Sequence, residues 1–135
     1  MSRRKKFQPK NFEKIGTSNL SSTLYASMLE SYAWKQLTAQ AKVLYTYMKL
    51  QQYGQAPLEG YPADTFVFNH YMYVTLYGLY KTWKQFDRDC KQLVKWGFII
   101  IRENGKNMRT SNVYQFSAEW QNIKPPSAAT AREQK

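Results

Sequence analysis

The chain has 135 residues, of which 20 are lysine or arginine and 9 are aspartate or glutamate, giving a formal net charge of +11. This length allows one domain with a real core, and a hydrophobic content of 43% predicts a packed globule. The single cysteine, Cys90, excludes an internal disulfide framework and a cysteine-based zinc site, and no apolar run approaches the ~18 residues of a membrane span.

The positive charge is concentrated in two segments. Residues 1–14 contain six basic residues and one acidic residue, and residues 81–109 contain eight basic and three acidic residues. Between them, residues 15–80 have a net charge of zero. A polyanion is the natural partner of such a distribution, and we expect nucleic acid rather than a membrane.

Residues 1–20 are polar and basic, and we predict a flexible arm. They lack the apolar segment of a signal peptide, so we expect a cytoplasmic protein that is associated with the nucleoid or a plasmid. Residues 21–37 are rich in leucine, methionine and aromatic residues and predict a first helical segment. Thr38 is the predicted N-cap of a second helix that ends at Gly54. Its predicted buried stripe contains Ala41, Leu44 and Met48, with Val43, Tyr47 and Leu50 beside it.

The next segments alternate between loop, strand and helix signals. Two prolines and a glycine in residues 55–64 predict a loop, and the following TFVFN predicts a short strand. Asn69 is the predicted cap of a short helix that stops at Gly78. We expect His70, at the start of that helix, to be structural.

Residues 82–97 predict the best-defined helix of the chain. Thr82 and Gln85 have the spacing of a capping box, and Gly97 is the predicted terminator. The sequence FIIIRENGKNMRTSNVYQFS then predicts two strands around a loop that contains Asn104 and Gly105. We expect residues 121–135 to form a disordered tail.

The predicted order is helix, strand, helix, short turn, helix and β-hairpin. This is the order of a winged helix-turn-helix, an α+β fold with three or four helices and a C-terminal hairpin wing. We therefore expect one such domain over residues 21–120, whose last helix enters the major groove of DNA.

Charges are sorted on the helix that follows Thr82. On a helical wheel that starts at Trp83, four cations fall between about 80° and 140°: Lys84, Arg88, Lys91 and Lys95. An apolar stripe falls between about 280° and 20°: Trp83, Phe86, Cys90, Leu93 and Val94. Asp87 and Asp89 lie outside the cationic arc.

This sorting has a small cost for the helix. Like charges three or four residues apart destabilise a helix by about 0.2–0.5 kcal/mol per pair. An ordinary solvated face places opposite charges at those spacings, and here Asp87 offsets only part of the cost through Lys84 and Lys91. The arrangement therefore favours contact with an anionic partner over bare solvation.

Residues near the start of a groove-bound helix reach base edges, and later ones reach phosphates. The predicted base-reading residues are Lys81, Lys84, Gln85 and Arg88, although Gln85 also has a capping role to fill. The predicted phosphate contacts are Tyr80, Thr82, Lys91 and Lys95. On the wing, Arg102, Lys106, Asn107 and Arg109 suit a minor groove or flanking phosphates, or simply form a solvated turn. The arm residues Arg3, Arg4, Lys5 and Lys6 suit a minor groove.

The segment YGLYKTWKQFDRDCKQLVKWGFI, followed by RENGKNMRTSNVYQFSAEW, resembles the helix-turn-helix and wing of winged-helix proteins from bacterial plasmids, conjugative transposons and phages. The matching positions are Leu93, Gly97, Phe98, Ile99, Asn112 and Tyr114. The earlier SMLESYAWKQLTAQAKVLYTYMKL resembles the first helices of the replication-initiator protein A N-terminal family. The resemblance implies duplex-DNA binding, often as a homodimer, in replication initiation or transcriptional control of a mobile genetic element.

Catalysis is not expected. One histidine cannot build a catalytic or metal cluster, and Cys90 falls in the apolar stripe as a small hydrophobe. The chain has no glycine-rich phosphate loop, and its acidic residues show no metal-ligand spacing. We expect no cofactor, metal or small-molecule substrate. Two other functions stay open: a protein-interaction module that uses the tyrosines of residues 45–80, and RNA binding through exposed aromatic rings.

Overall fold

The computed structural model describes residues 22–54, 58–103 and 112–126. In these ranges helices combine with a three-stranded antiparallel sheet, so the predicted α+β class is confirmed. The helices are α1 (Ala26–Leu29), α2 (Tyr32–Lys35), α3 (Ala39–Gly54), a π-helix (Tyr71–Leu76), α4 (Trp83–Lys95) and a 3₁₀ helix (Glu119–Asn122). The strands are β1 (Thr65–Val67), β2 (Ile99–Glu103) and β3 (Val113–Phe116).

The first helical segment is broken at Ser31. This residue has an extended backbone, with ψ of 152°, and its hydroxyl accepts from the Trp34 N–H at 3.2 Å and donates to the Met28 carbonyl at 2.6 Å. A serine that caps the following turn in this way competes with helix continuation. The expectation of one helical segment over residues 21–37 therefore becomes two short helices, α1 and α2.

The long helix α3 begins and ends where the sequence predicts. The Thr38 hydroxyl accepts from the Ala41 N–H at 3.3 Å, which is N-cap geometry. Ala41, Leu44 and Met48 are fully buried, as expected from their spacing. Tyr45 joins them in the core, whereas Val43 is 40% exposed.

The predicted hairpin forms, and β1 completes the sheet in the order β1-β3-β2. Tyr114 lies at the centre, paired with Phe66 of β1 and Ile101 of β2. Between Ile101 and Glu103 the register shifts, so that Arg102 is an extra residue opposite β3. Such a bulge changes the direction of the strand and re-aims the side chain that it carries.

The predicted short helix before Gly78 is a π-helix. Asn69 caps it, since its side-chain oxygen accepts from the Met72 N–H at 3.2 Å. The Tyr77 N–H donates to the Met72 carbonyl at 2.9 Å, five residues back, as a π-helix requires. Tyr73 stacks on Phe86 of α4 with ring centroids 3.9 Å apart, which fixes the π-helix against α4.

Both ends of α4 are capped by local chemistry. The Thr82 hydroxyl accepts from the Gln85 N–H at 3.4 Å. At the other end Gly97 has φ of 81°, its N–H donates to the Val94 carbonyl, and the Phe98 N–H donates to the Leu93 carbonyl at 2.9 Å. This pair of bonds is the Schellman motif, which ends a helix at a left-handed glycine.

The C-terminal segment packs against the core beyond residue 120. Trp120 stacks on the buried Phe98 with ring centroids 5.9 Å apart. The 3₁₀ helix continues through Asn122, and Ile123 is half-buried against the core. The prediction that a disordered tail starts at residue 121 is therefore wrong at its beginning, because these apolar side chains find core contacts.

Candidate nucleic-acid interface

The buried side of α4 is about as wide as its apolar stripe but is turned around the helix axis. It consists of Phe86, Asp89, Cys90 and Leu93, which span about 240° to 340° on the helical wheel. The prediction that Trp83 and Val94 belong to the buried stripe is wrong, since they are 58% and 38% exposed. Asp89 is buried instead, because its carboxylate has hydrogen-bond partners in the interior.

The four predicted cations of α4 lie on the side opposite this buried stripe. All four are exposed, and their arc of about 80° to 140° is centred about 180° from the centre of the buried stripe. We call Lys84, Arg88, Lys91 and Lys95 the cationic face.

Carboxylates pair with two members of the cationic face. Lys91 Nζ lies 2.8 Å from Asp87 Oδ2, one turn earlier in the helix. Arg88 Nε lies 3.4 Å from Asp89 Oδ1. Within the described residues Lys84 and Lys95 form no ion pair, and Lys95 Nζ lies 5.2 Å from the centre of the Trp96 ring. The face is thus partly neutralised but keeps an excess of positive charge.

Asp89 is buried beneath α4 with its oxygens satisfied. The Tyr80 hydroxyl donates to Oδ2 at 2.6 Å, and Gln92 Nε2 donates to Oδ1 at 3.3 Å. The predicted phosphate contact of Tyr80 is therefore wrong: its side chain is 5% exposed, and its hydroxyl is committed to Asp89. Burial, followed by the hydrogen bond to Asp89, raises the pKa of Tyr80 above that of a free tyrosine.

Gln92 ties α4 to the beginning of α3. Its Oε1 accepts from the Thr38 backbone N–H at 3.0 Å, and its Nε2 donates to the Thr38 hydroxyl at 3.2 Å. Because Gln92 also contacts Asp89, one polar chain joins Tyr80, Asp89, Gln92 and Thr38. This network of hydrogen bonds and the apolar contacts together fix the angle between α3 and α4.

The N-terminal end of α4 presents the remaining predicted contacts. Lys81, Thr82 and Gln85 are all exposed. The capping box is half-formed: the Thr82 hydroxyl accepts from the Gln85 N–H, and the described hydrogen bonds include none from the Thr82 N–H to the Gln85 side-chain oxygen. The Gln85 side chain therefore stays on the surface beside Lys81 and Lys84 in the chain.

Arg102 is the described cation of the predicted wing. It is exposed and sits at the β2 bulge. Seven further predicted contacts fall outside the described residues: Lys106, Asn107 and Arg109 of the wing, and Arg3, Arg4, Lys5 and Lys6 of the arm.

Cys90 and Tyr114 form a second buried pair under α4. Burial is the main reason that the pKa of both side chains is raised. Asn112 Nδ2 donates to the Tyr114 hydroxyl at 3.2 Å. Cys90 is thus held as a protonated, inward-facing thiol at neutral pH, as its place in the apolar stripe predicts.

His70 is exposed, and its ring lies edge-on to Tyr73 at 5.4 Å.

The described residues contain no group of three or more histidine, cysteine, aspartate and glutamate side chains that is arranged to hold a metal ion. The same residues contain no helix with the length and apolar character needed to cross a membrane.

Sequence reasoning missed three residues that shape this surface. Trp83 is the first residue of α4, at the end of the helix where its ring lies beyond the core. Asp89 falls on the wheel next to Leu93 and Phe86, which is a signal for burial, but its partner Tyr80 lies nine positions earlier. Gln92 bonds to Thr38 at a separation of 54 residues, and no local pattern announces that contact.

Comparison with known proteins gives no assignment: no family model, curated protein or solved structure matches the chain.

Proposed function

We propose that this chain is a winged helix-turn-helix protein that binds double-stranded DNA, with α4 in the major groove and the β2–β3 hairpin as the wing. The proposal is supported by the order of the π-helix, α4 and the antiparallel hairpin. A helix that enters a groove must be rigidly attached at its back and polar at its front. The back of α4 is attached through Phe86, Cys90 and Leu93.

The cationic face is the observation that carries the proposal. A helix surface that repeats like charges pays a small cost in stability, and contact with phosphates would offset it. Arg102 adds an exposed cation on the wing strand, at the β2 bulge. Under this proposal Lys81, Lys84, Gln85 and Arg88 face base edges, and Thr82, Lys91 and Lys95 face phosphates.

The biological role follows from the resemblance rather than from geometry. We place sequence-specific binding in replication initiation or transcriptional control of a mobile element, with a homodimer on a palindromic site. A palindrome recovered from random duplex DNA would indicate the dimer, because operator symmetry mirrors protein symmetry.

A charge-matched comparison tests the proposal. Fluorescence anisotropy with a labelled duplex over a salt series should show steep loss of affinity for the natural chain. The double variant Lys84→Ala/Lys95→Ala should bind more weakly, with a salt slope lower by about 0.9, because Lys95 faces a phosphate. The control Lys35→Ala/Lys124→Ala removes the same charge from two exposed lysines outside α4, and it should change both quantities less.

Equal effects of the two double variants would refute the interface, since net charge alone would then explain binding. Single-stranded RNA serves as the competing ligand. Tighter binding of RNA than of duplex DNA at the same salt would favour the RNA alternative, and negligible binding of both would favour a protein-interaction module.

A further inference from the structure

Arg88 and Asp89 are neighbours in α4, yet their side chains meet. Successive residues of a helix point about 100° apart, so Arg88 must turn along the helix surface to reach Asp89. Its Nε donates to Asp89 Oδ1 at 3.4 Å, while the arginine side chain remains 65% exposed. The contact uses one guanidinium N–H, and the terminal nitrogens form no hydrogen bond to the described residues.

Asp89 is itself fixed from the interior. Its side chain is 1% exposed, the Tyr80 hydroxyl donates to one of its oxygens, and Gln92 donates to the other. Gln92 is held in turn by Thr38 at the start of α3. Because these contacts come from three parts of the chain, the carboxylate is held in place independently of Arg88.

We propose that Asp89 is a positioning residue, which orients Arg88 to read a guanine in the DNA that α4 contacts. This inference rests on the proposed function. The terminal nitrogens of arginine form a planar fork that matches guanine O6 and N7. Anchoring Nε restricts the rotation of that fork before binding, and a side chain ordered in advance loses less entropy in the complex.

The test starts from duplexes selected by the natural chain from random DNA. Arg88→Ala should lose the preference for guanine at one base pair, by roughly 5- to 150-fold. Replacing that guanine with 7-deazaguanine removes the N7 acceptor and should weaken the natural chain but not Arg88→Ala. Asp89→Asn should reduce the preference at the same base pair and leave the other positions unchanged.

The matched control is Tyr80→Phe. It removes a buried hydrogen bond to the same carboxylate but through Oδ2, so that the Oδ1 contact with Arg88 remains. Tyr80→Phe should therefore keep the guanine preference. Equal loss of that preference in Tyr80→Phe and Asp89→Asn would mean that general loosening of α4 is responsible, and it would overturn the positioning role.

A second measurement on the natural chain does not depend on how Asp89→Asn folds. Nitrogen-15 relaxation of the arginine Nε–Hε groups should show Arg88 more ordered than Arg102, which is also exposed. Equal mobility of the two side chains would overturn the inference. Duplex binding without a guanine preference that depends on Arg88 overturns this inference alone, whereas equal binding by the charge-matched double variants overturns the proposed function as well.

Discussion

Neutralising Asp87 should strengthen DNA binding while slightly lowering the free energy of unfolding of the protein. Asp87 holds Lys91 at 2.8 Å, and their side chains are 28% and 76% exposed. If α4 binds phosphates, this internal pair competes with the DNA for the lysine. Asp87→Asn removes the competitor and leaves Lys91 in place. An effect of this sign, tighter binding from a less stable protein, separates the proposed interface from an ordinary solvated helix face.

The expected magnitude has two parts. An exposed ion pair at this helical spacing contributes about 0.3–0.5 kcal/mol. In the natural chain Lys91 must break this pair to bind a phosphate, whereas in Asp87→Asn there is no pair to break. A carboxylate about 7 Å from a phosphate is repelled by about 0.6 kcal/mol in water, and 0.1 M salt roughly halves that value. Together they predict binding that is tighter by about 0.7 kcal/mol, or about threefold.

The assay is anisotropy with one duplex at several salt concentrations, combined with urea unfolding of the same samples. The salt slope should steepen by up to about 0.9 if Lys91 gains a full phosphate contact. The free energy of unfolding should fall by about 0.3–0.5 kcal/mol. Glu59→Gln, at an exposed position outside α4, makes the same change in net charge. Weaker binding by Asp87→Asn, or equal tightening by both variants, would refute the reasoning.

Three further predictions concern stability and reactivity. An alanine at a left-handed position costs about 1–2 kcal/mol of backbone strain. Gly97→Ala should lower the free energy of unfolding by more than this, because its Cβ would lie 2.5 Å from the Trp120 nitrogen, whereas the Cβ of Gly78→Ala meets open space and should cost the strain alone. Equal losses in urea unfolding would contradict this. Burial raises the pKa of Tyr45 from 10.0 to about 12, so ionisation of this tyrosine favours the unfolded chain. The neutral side chain contributes about 3 kcal/mol to the free energy of unfolding, and this contribution is complete below pH 10 and lost towards pH 12. A melting temperature that stays constant through this range would exclude it. Cys90 is buried and burial raises its pKa, so a thiol reagent should label it only after unfolding, and equal rates with native and denatured protein would show otherwise.

The elements that sequence predicts well are those whose ends are decided locally. Thr38 and Thr82 accept from backbone N–H groups three residues ahead, and Gly97 supplies the left-handed conformation of a Schellman motif. These contacts involve neighbours along the chain, so the residue types are sufficient to place α3 and α4. Ser31 acts by the same local chemistry, and its effect went unpredicted because the apolar spacing around it suggests a continuous helix.

The orientation of α4 about its own axis is a different problem. Hydrophobic residues alone place the buried side near Cys90, with Trp83 and Val94 included. The observed stripe is turned by about 40–50° towards Asp89, because Tyr80 and Gln92 supply that carboxylate with donors in the interior. A polar residue is buried when its partners are present, and the partnership of Tyr80 and Asp89 depends on how the turn before α4 folds.

The large exposed fraction of the α4 surface bears on function. Only four of its 13 residues are buried, and they occupy about 100° of the helix circumference. Trp83 and Val94 are exposed on one flank, beyond the cationic face. A helix with its side chains is about 10–12 Å wide, and the major groove is about 12 Å wide, so the walls of the groove contact the flanks of a reading helix as well as its front. A helix that served only to cover the core would gain stability from burying Trp83 and Val94, and α4 leaves them on the surface where a groove wall would cover them. Protection of Trp83 and Val94 from solvent on binding to duplex DNA, measured by hydroxyl-radical footprinting of the protein, is therefore the expected result. Protection of the cationic face without these two side chains would argue for a shallow contact with phosphates instead.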